Sequence, residues 1–193
     1  MGCPKPLLPW GCTSMIGHLI DVWQRLGTRQ VAIVLAAGDS ILAAELDRLE
    51  ARSAAPGLLT RIVNPAPDQG MFSSIQCAAR WPGWSSSLTH WAITLGDQPH
   101  LRPETLAKLI EMAGAYPAHV CQPIREKRLR HPVLMPRAVF AQLAGSTARD
   151  LREFLSGYEV NGFEAEDPGL DLDIDRPEDY QKALAMAGLE PRL

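Results

Sequence analysis

Ile93-Thr94-Leu95-Gly96-Asp97-Gln98-Pro99 is an apolar, β-branched run that stops abruptly at Gly-Asp-Gln-Pro, with a helix-like segment soon after. Such a run reads as a buried parallel strand that delivers a carboxylate to its C-terminal end. In open α/β sheets ligands bind in the crevice outside those strand ends. Asp97 is therefore the first candidate functional residue. Its plain alternative is a turn former or a cap on the next helix. From Trp91 to Leu95 only Thr94 is polar. That predicts a central strand, covered on both faces.

Working outward, helix and strand patterns alternate. Thr13 or Ser14 can cap a helix to about Leu26, with Met15, Leu19, Val22 and Trp23 on one face. Residues 30–37 are a continuous apolar strand, and Asp39 or Ser40 caps a helix bearing Ile41, Leu42, Leu46 and Leu49. Residues 58–63 read as a short strand, 64–70 as a Pro/Asp/Gly loop, 71–80 as a helix and 80–87 as a second loop. After Asp97 comes a helix with Pro103 in its first turn, where a missing N–H costs nothing. Further strands are expected at Val120 to Ile124, at 131–135 and at 158–163, and helices at 137–144 and 148–155. The last helix opens at Pro177-Glu178-Asp179. The alternation predicts one domain over residues 1–193, a mostly parallel sheet with helices on both faces.

Composition narrows the function classes. The chain has 193 residues, 46% hydrophobic and 21% charged, with net charge −3. That balance gives no general attraction to nucleic acid or an anionic membrane. Four cysteines stand without metal-like spacing, which predicts free thiols and a reducing, cytoplasmic setting. No segment is apolar enough to span a bilayer, and the start is not a secretory signal. One basic cluster, Arg125-Glu126-Lys127-Arg128-Leu129-Arg130, reads first as a solvated loop. Its sharper reading is a local anion site beside His131.

A second acidic cluster, Asp171-Leu172-Asp173-Ile174-Asp175, stands near the other end of the chain. Asp97 and Asp175, with Asp173 as a close competitor, can share one divalent cation. Mg²⁺ takes one or two carboxylates and completes its shell with phosphates and water. Asp175 can instead cap the helix at Pro177. Spacing alone weighs slightly toward two caps. The stretch from Asn64 to Ser74 places Gly70 and the hydroxyls of Ser73 and Ser74 at a helix N-terminus, a good place for an anion or polar ligand. An ordinary capped turn is the alternative. Leu35-Ala36-Ala37-Gly38 lacks the glycine spacing and lysine of a phosphate loop. His18, His90, His100 and His119 have no partner that suggests a triad or metal site.

Together these stretches resemble the MobA-like nucleotidyltransferases, especially the molybdenum cofactor cytidylyltransferase branch. Met1-Gly2-Cys3-Pro4-Lys5-Pro6-Leu7-Leu8 is similar to that family's Met-Gly-x-x-Lys-x-Leu-Leu segment. Asn64 to Ser74 resembles its Asn…Gly-Met-x-Ser-Ser loop, and Gly96-Asp97-Gln98-Pro99 its Asp-x-Pro metal motif. Asp173-Ile174-Asp175-Arg176-Pro177-Glu178-Asp179 resembles its closing Asp-Ile-Asp-Thr-Pro-Glu-Asp. His131-Pro132-Val133 is similar to its Gly-His-Pro-Val strand, with Arg130 in place of the Gly. The order is right and the resemblance covers essentially the whole chain.

The resemblance implies a three-layer α/β/α sandwich with a Rossmann-like sheet, of the nucleotide-diphospho-sugar transferase kind. It implies Mg²⁺-dependent transfer of CMP, or GMP, from an NTP to molybdopterin or a related phosphorylated acceptor, with release of pyrophosphate. Lys5 and Asp97 would be catalytic. Lys5, Asn64, Gly70, Met71, Ser73 and Ser74 would hold the nucleotide, His131 would face the acceptor, and Asp97 and Asp175 would hold the metal. A molybdoenzyme or chaperone partner and a dimer are further expectations. The alternatives are a catalytically impaired nucleotide- or cofactor-binding protein of the same fold, or a sugar-nucleotide transferase.

Two departures shape the expectation. The family opens with a strand and the loop Leu-Ala-Ala-Gly-x-Ser-x-Arg ahead of its Met-Gly, whereas this sequence starts at Met1-Gly2. Leu35 to Ser40 matches that loop in letters but stands after Lys5 and after a helix. The expected consequences are a sheet lacking one strand, its place filled by a rearranged N-terminus or a second subunit, and weak NTP binding. The second departure is Gly145-Ser146-Thr147-Ala148-Arg149, where the family often has Gly-Asp-x-Gly-Ala-Arg.

Overall fold

The computed structural model describes residues 4–52 and 57–190. Met1, Gly2 and Cys3 of the Met-Gly segment lie outside the described residues. After a 3-10 turn at Lys5–Leu7 come β1 (Pro9–Trp10), β2 (Thr13–Ser14) and α1 (Met15–Arg25). Next are β3 (Val31–Ala36), α2 (Ser40–Arg52), β4 (Leu59–Asn64), α3 (Met71–Arg80) and β5 (His90–Ile93). Then come α4 (Pro103–Ala115), β6 (Val120–Arg125), β7 (Arg128–Leu129), β8 (Val133–Pro136) and α5 (Arg137–Gln142). The chain closes with α6 (Leu151–Leu155), β9 (Val160–Glu164) and α7 (Pro177–Met186). The expected helix at 71–80 matches α3 end to end, and Ser14 caps α1 by accepting from the Gly17 N–H at 3.2 Å.

The result is a mixed α/β fold with a mostly parallel sheet between helices. β3 and β4 pair in parallel, as do β6 and β9. β8 runs antiparallel to both β5 and β6, so β5, β6 and β9 share one direction. Side-chain alternation builds the layers. Trp91, Val120, Val133 and Met135 face a core formed with α3, α5 and α6. Cys121, Leu134 and Phe163 face the opposite way, onto Leu109 and Ala113 of α4. Leu35 packs beneath Ile16 and Ile20 of α1 and Leu42 and Leu46 of α2.

The strand leading to Asp97 differs from the expectation. β5 ends at Ile93, pairs antiparallel with β8, and has no second partner strand among the described residues. Ala92 is exposed and Ile93 half-buried. The central, doubly covered placement is thereby corrected. An apolar run reports a tendency to leave water, not which strands pair on either side of it.

β3 likewise pairs with β4 alone among the described residues, so apart from the β1–β2 hairpin the strands form two hydrogen-bonded blocks. Shared helices hold the blocks together. α3 packs on β3 and β4 and sends Phe72 and Ile75 into the core with Trp91. α1 covers Leu35 and sends Val22 and Trp23 against Leu106 of α4. The Gln30 amide bonds the Gly83 carbonyl and the Ser85 N–H, tying the start of β3 to the loop before β5. β1 and β2 pair with each other, so the described N-terminal segment does not bridge the blocks.

Candidate active site

Asp97 lies four residues beyond the end of β5, in the loop that leads to α4. The acidic row from Asp171 to Asp175 is stitched to this loop: the Ile174 N–H donates to the Asp97 carbonyl at 3.3 Å. Ile174 is fully buried with Trp10, Met15 and Leu184, and Leu172 packs beside it. With Leu172 and Ile174 held inward, the alternating carboxylates Asp171, Asp173 and Asp175 turn toward solvent.

Each carboxylate of the row has its own partner. Asp175 accepts from Lys5 Nζ at 2.6 Å. Asp173 accepts from Gln98 Nε2 at 2.8 Å. Asp171 accepts from Arg125 Nε at 2.6 Å and from Arg130. Neither helix-cap alternative is realised. The Arg176 N–H, ahead of α7, donates to Asp179, and Asp175 is engaged with Lys5. The Arg102 N–H ahead of α4 goes to Asp167, not to Asp97.

Two residues without a sequence signal hold the loop and the row together. Asp167 is buried and accepts from the Arg102 N–H, the Thr105 hydroxyl and the Gly169 N–H at 2.8–2.9 Å. His100 is buried, and its Nε2 stands 3.2 Å from the Gly169 carbonyl and 3.0 Å from that of Leu172. Carbonyls only accept, so the proton sits on Nε2. A side chain at Gly169 would meet His100 at 2.9 Å and Asp167 at 3.0 Å. Apart from the local Asp167–Gly169 bond, the partners stand more than sixty positions apart, so only long-range pairing reveals how these residues join the loop to the row.

Burial and like charge shape the electrostatics of the cluster. Burial, and after it Asp173, pushes the Asp97 carboxyl above its ordinary range. The hydrogen bond to Asp175 raises Lys5, and the same bond lowers Asp175. Gln98 is buried, and its Oε1 has no hydrogen-bond partner among the described residues. The oxygen set of Asp97, Asp173 and Gln98 has the hard-donor chemistry that suits Mg²⁺ or Mn²⁺. Among the described residues no three His, Cys, Asp or Glu side chains form a cage of their own. A small divalent ion that keeps waters and substrate phosphates in its shell needs no such cage.

The loop expected to frame the nucleotide is built from inside. Asn64 is buried at the end of β4 and donates to Ser73 Oγ at 2.8 Å and Ser74 Oγ at 3.0 Å, while its Oδ1 accepts from the Ala66 N–H. The Ser73 hydroxyl also closes on the Gly70 carbonyl at 2.7 Å. Asn64 and Ser73 are thus engaged in shaping the loop. Gly70 has φ +84° and ψ −178°, a conformation essentially reserved for glycine. Gly70 and Met71 are exposed at the start of α3, and Ser74 is half-buried with its hydroxyl hydrogen free to donate.

His131 Nδ1 stands 3.4 Å from the Ile93 carbonyl, which leaves Nε2 as the bare acceptor. Burial lowers its pKa, partly offset by that contact and by the negative field of Asp173 and Asp97. His131 therefore belongs to the same cluster as Asp97.

The three-layer α/β fold thus carries a lysine paired to a carboxylate row at the Asp97 loop and, separately, a glycine-framed start to α3. The MobA-like NTP transferase domain matches residues 1–162, and the chain belongs to that family. Rv0371c from Mycobacterium tuberculosis H37Rv is 26% identical, with TM-score 0.69 over 96% of this chain and 90% of that one. A crystal structure of Rv0371C in complex with manganese matches with TM-score 0.65, 26% identity and coverage of 95% and 93%. Molybdopterin-guanine dinucleotide biosynthesis protein A from Archaeoglobus fulgidus shares the fold, with TM-score 0.64, 16% identity and coverage of 97% and 92%. No curated protein matches the chain. Among the described residues no helix is long and apolar enough to cross a membrane.

Proposed function

We propose that the chain binds an NTP, with CTP as the first candidate and GTP as its competitor, and transfers the nucleotidyl group to a phosphorylated acceptor such as molybdopterin. The observation that carries this reading is the Asp97–Asp173 pair beside the Lys5–Asp175 ion pair. In the reaction an acceptor phosphate oxygen forms a bond to the α-phosphorus. The α–β bridging P–O bond breaks and pyrophosphate leaves. A bound Mg²⁺ or Mn²⁺ supplies charge neutralisation at the phosphates. Asp97 is the anchoring carboxylate and Asp173 the neighbour already opposing it. Lys5 turns its ammonium to the triphosphate as a point charge, which frees Asp175 to join the site. Gly70, Met71 and Ser74 frame the base or ribose, with Asn64 and Ser73 holding their loop. His131 offers Nε2 on the acceptor side. The free thiols of Cys12, Cys77 and Cys121 suit a reducing cytoplasm.

The test is equilibrium binding of CTP and GTP with and without Mn²⁺, followed by pyrophosphate release on adding a phosphorylated pterin. Cation-dependent binding of one nucleotide supports the reading; no binding of either removes it. The division of the strands into separate blocks, with β3 and β5 each paired on one edge only among the described residues, favours a second reading, a protein that binds nucleotide and turns it over poorly. Robust transfer by these 193 residues alone would remove that second reading.

A further inference from the structure

The β6–β7 hairpin carries a charge arrangement that the cluster around Asp97 does not explain. Arg125 lies directly opposite Arg128, and the Arg130 N–H continues the ladder to the Pro123 carbonyl. Directly opposed residues share a face, and so do residues two apart, so Arg125, Arg128 and Arg130 all project from one side. Like charges opposed across strands destabilise a hairpin. Among the described residues Asp171 alone pairs with them, through Arg125 Nε at 2.6 Å and through Arg130. Three guanidiniums against one carboxylate leave an excess of positive charge, in a chain whose net charge is −3.

Donor capacity is also left over. Each guanidinium has five N–H donors in a planar fork. Asp171 engages one nitrogen of Arg125 and one of Arg130. Arg130 Nε is buried without a partner among the described residues, and Arg128 is exposed. The position is close to the carboxylates: Asp171 stands two residues from Asp173, at most about 7 Å between Cα atoms. Arg130 directly precedes His131, whose ring feels Asp97 and Asp173.

We propose that this guanidinium face, braced by Asp171, binds the phosphate monoester of the second substrate. The assignment rests on the nucleotidyl-transfer reading, in which one substrate carries a dianionic phosphate. Lys5 would mark the triphosphate end of the carboxylate row and the arginines its acceptor end. Arginine suits the task because its fork donates in pairs to phosphate oxygens.

Calorimetric titration of the full chain with methyl phosphate tests this, beside Arg125→Gln/Arg130→Gln, Arg128→Gln and Arg149→Gln. The expected result is saturable binding that weakens roughly tenfold or more in the double variant. Arg128→Gln should weaken it less, and Arg149→Gln should leave it unchanged. Should the double variant fail to fold, Arg125→Lys/Arg130→Lys keeps the charge and loses the fork, and weaker binding is again expected. Unchanged affinity in the arginine-face variants, or a loss confined to Arg149→Gln, would overturn the assignment. Displacement of methyl phosphate by CTP with Mn²⁺ would place the ion in the nucleotide pocket and also overturn it. Methyl phosphate binding that persists where CTP fails to bind would count against the transferase reading alone and leave the site standing.

Discussion

Asp97 is held in an uncomfortable state, and that state has consequences in pH. Burial and Asp173 raise its pKa, so the folded protein keeps a proton there where the unfolded chain has already lost it. Proton binding is then greater in the folded state, and Asp97's contribution to stability falls as pH rises through that window. Cation binding needs the ionised carboxylate, so Mn²⁺ affinity should rise over the same interval. Asp97→Asn should abolish Mn²⁺ binding, remove this pH dependence, and leave Tm at neutral pH unchanged or slightly raised. A marked fall in Tm with metal affinity intact would mean that Asp97 is structural. Asp167 should behave in the opposite way. Its carboxylate satisfies three donors in the interior, so Asp167→Ala should cost about 3 kcal/mol in denaturant melts. A change under about 0.5 kcal/mol would show that the clasp does not hold the loop. The sequence marks Asp97 because a strand-end Asp-x-Pro is a local pattern. The clasp made by Asp167 and His100 is not marked locally: Asp167 reads as a cap on Gly169, and its partners across the clasp, like those of His100, are remote in the chain.

At the scale of elements, legibility follows the range of the interactions. α3 and α1 were readable because helical spacing of apolar residues and a capping serine are local signals. The short strands β1, β2 and β7 leave no mark in the sequence, because two-residue strands carry no periodicity and exist through their hairpin partners. The edge position of β5 is unreadable for another reason: an apolar run reports a tendency to leave water, and not which strands pair beside it. In the loop before α3 the backbone sets the prediction. Gly70→Ala forces a side chain into a φ of +84°, and should destabilise the protein by about 1–3 kcal/mol. If Gly70 also frames the nucleotide, CTP affinity should fall by more than the loss of folded protein explains. Equal stability in urea melts would show that the loop relaxes.

For the whole molecule the informative feature is the pair of strand blocks bridged by α1 and α3. Helices on both faces preserve the three layers, while β3 and β5 each pair on one edge only among the described residues. Strand edges without ladder partners leave backbone groups to find others, and β5 is the strand that leads into the Asp97 loop. NTP binding should therefore be weak but still dependent on the divalent ion. The most direct test is calorimetric titration of CTP into the protein, with and without Mn²⁺, in the wild type and in Asp97→Asn. We predict saturable binding that requires Mn²⁺ and disappears in Asp97→Asn. Binding that is indifferent to the cation, or that survives unchanged in Asp97→Asn, would contradict it.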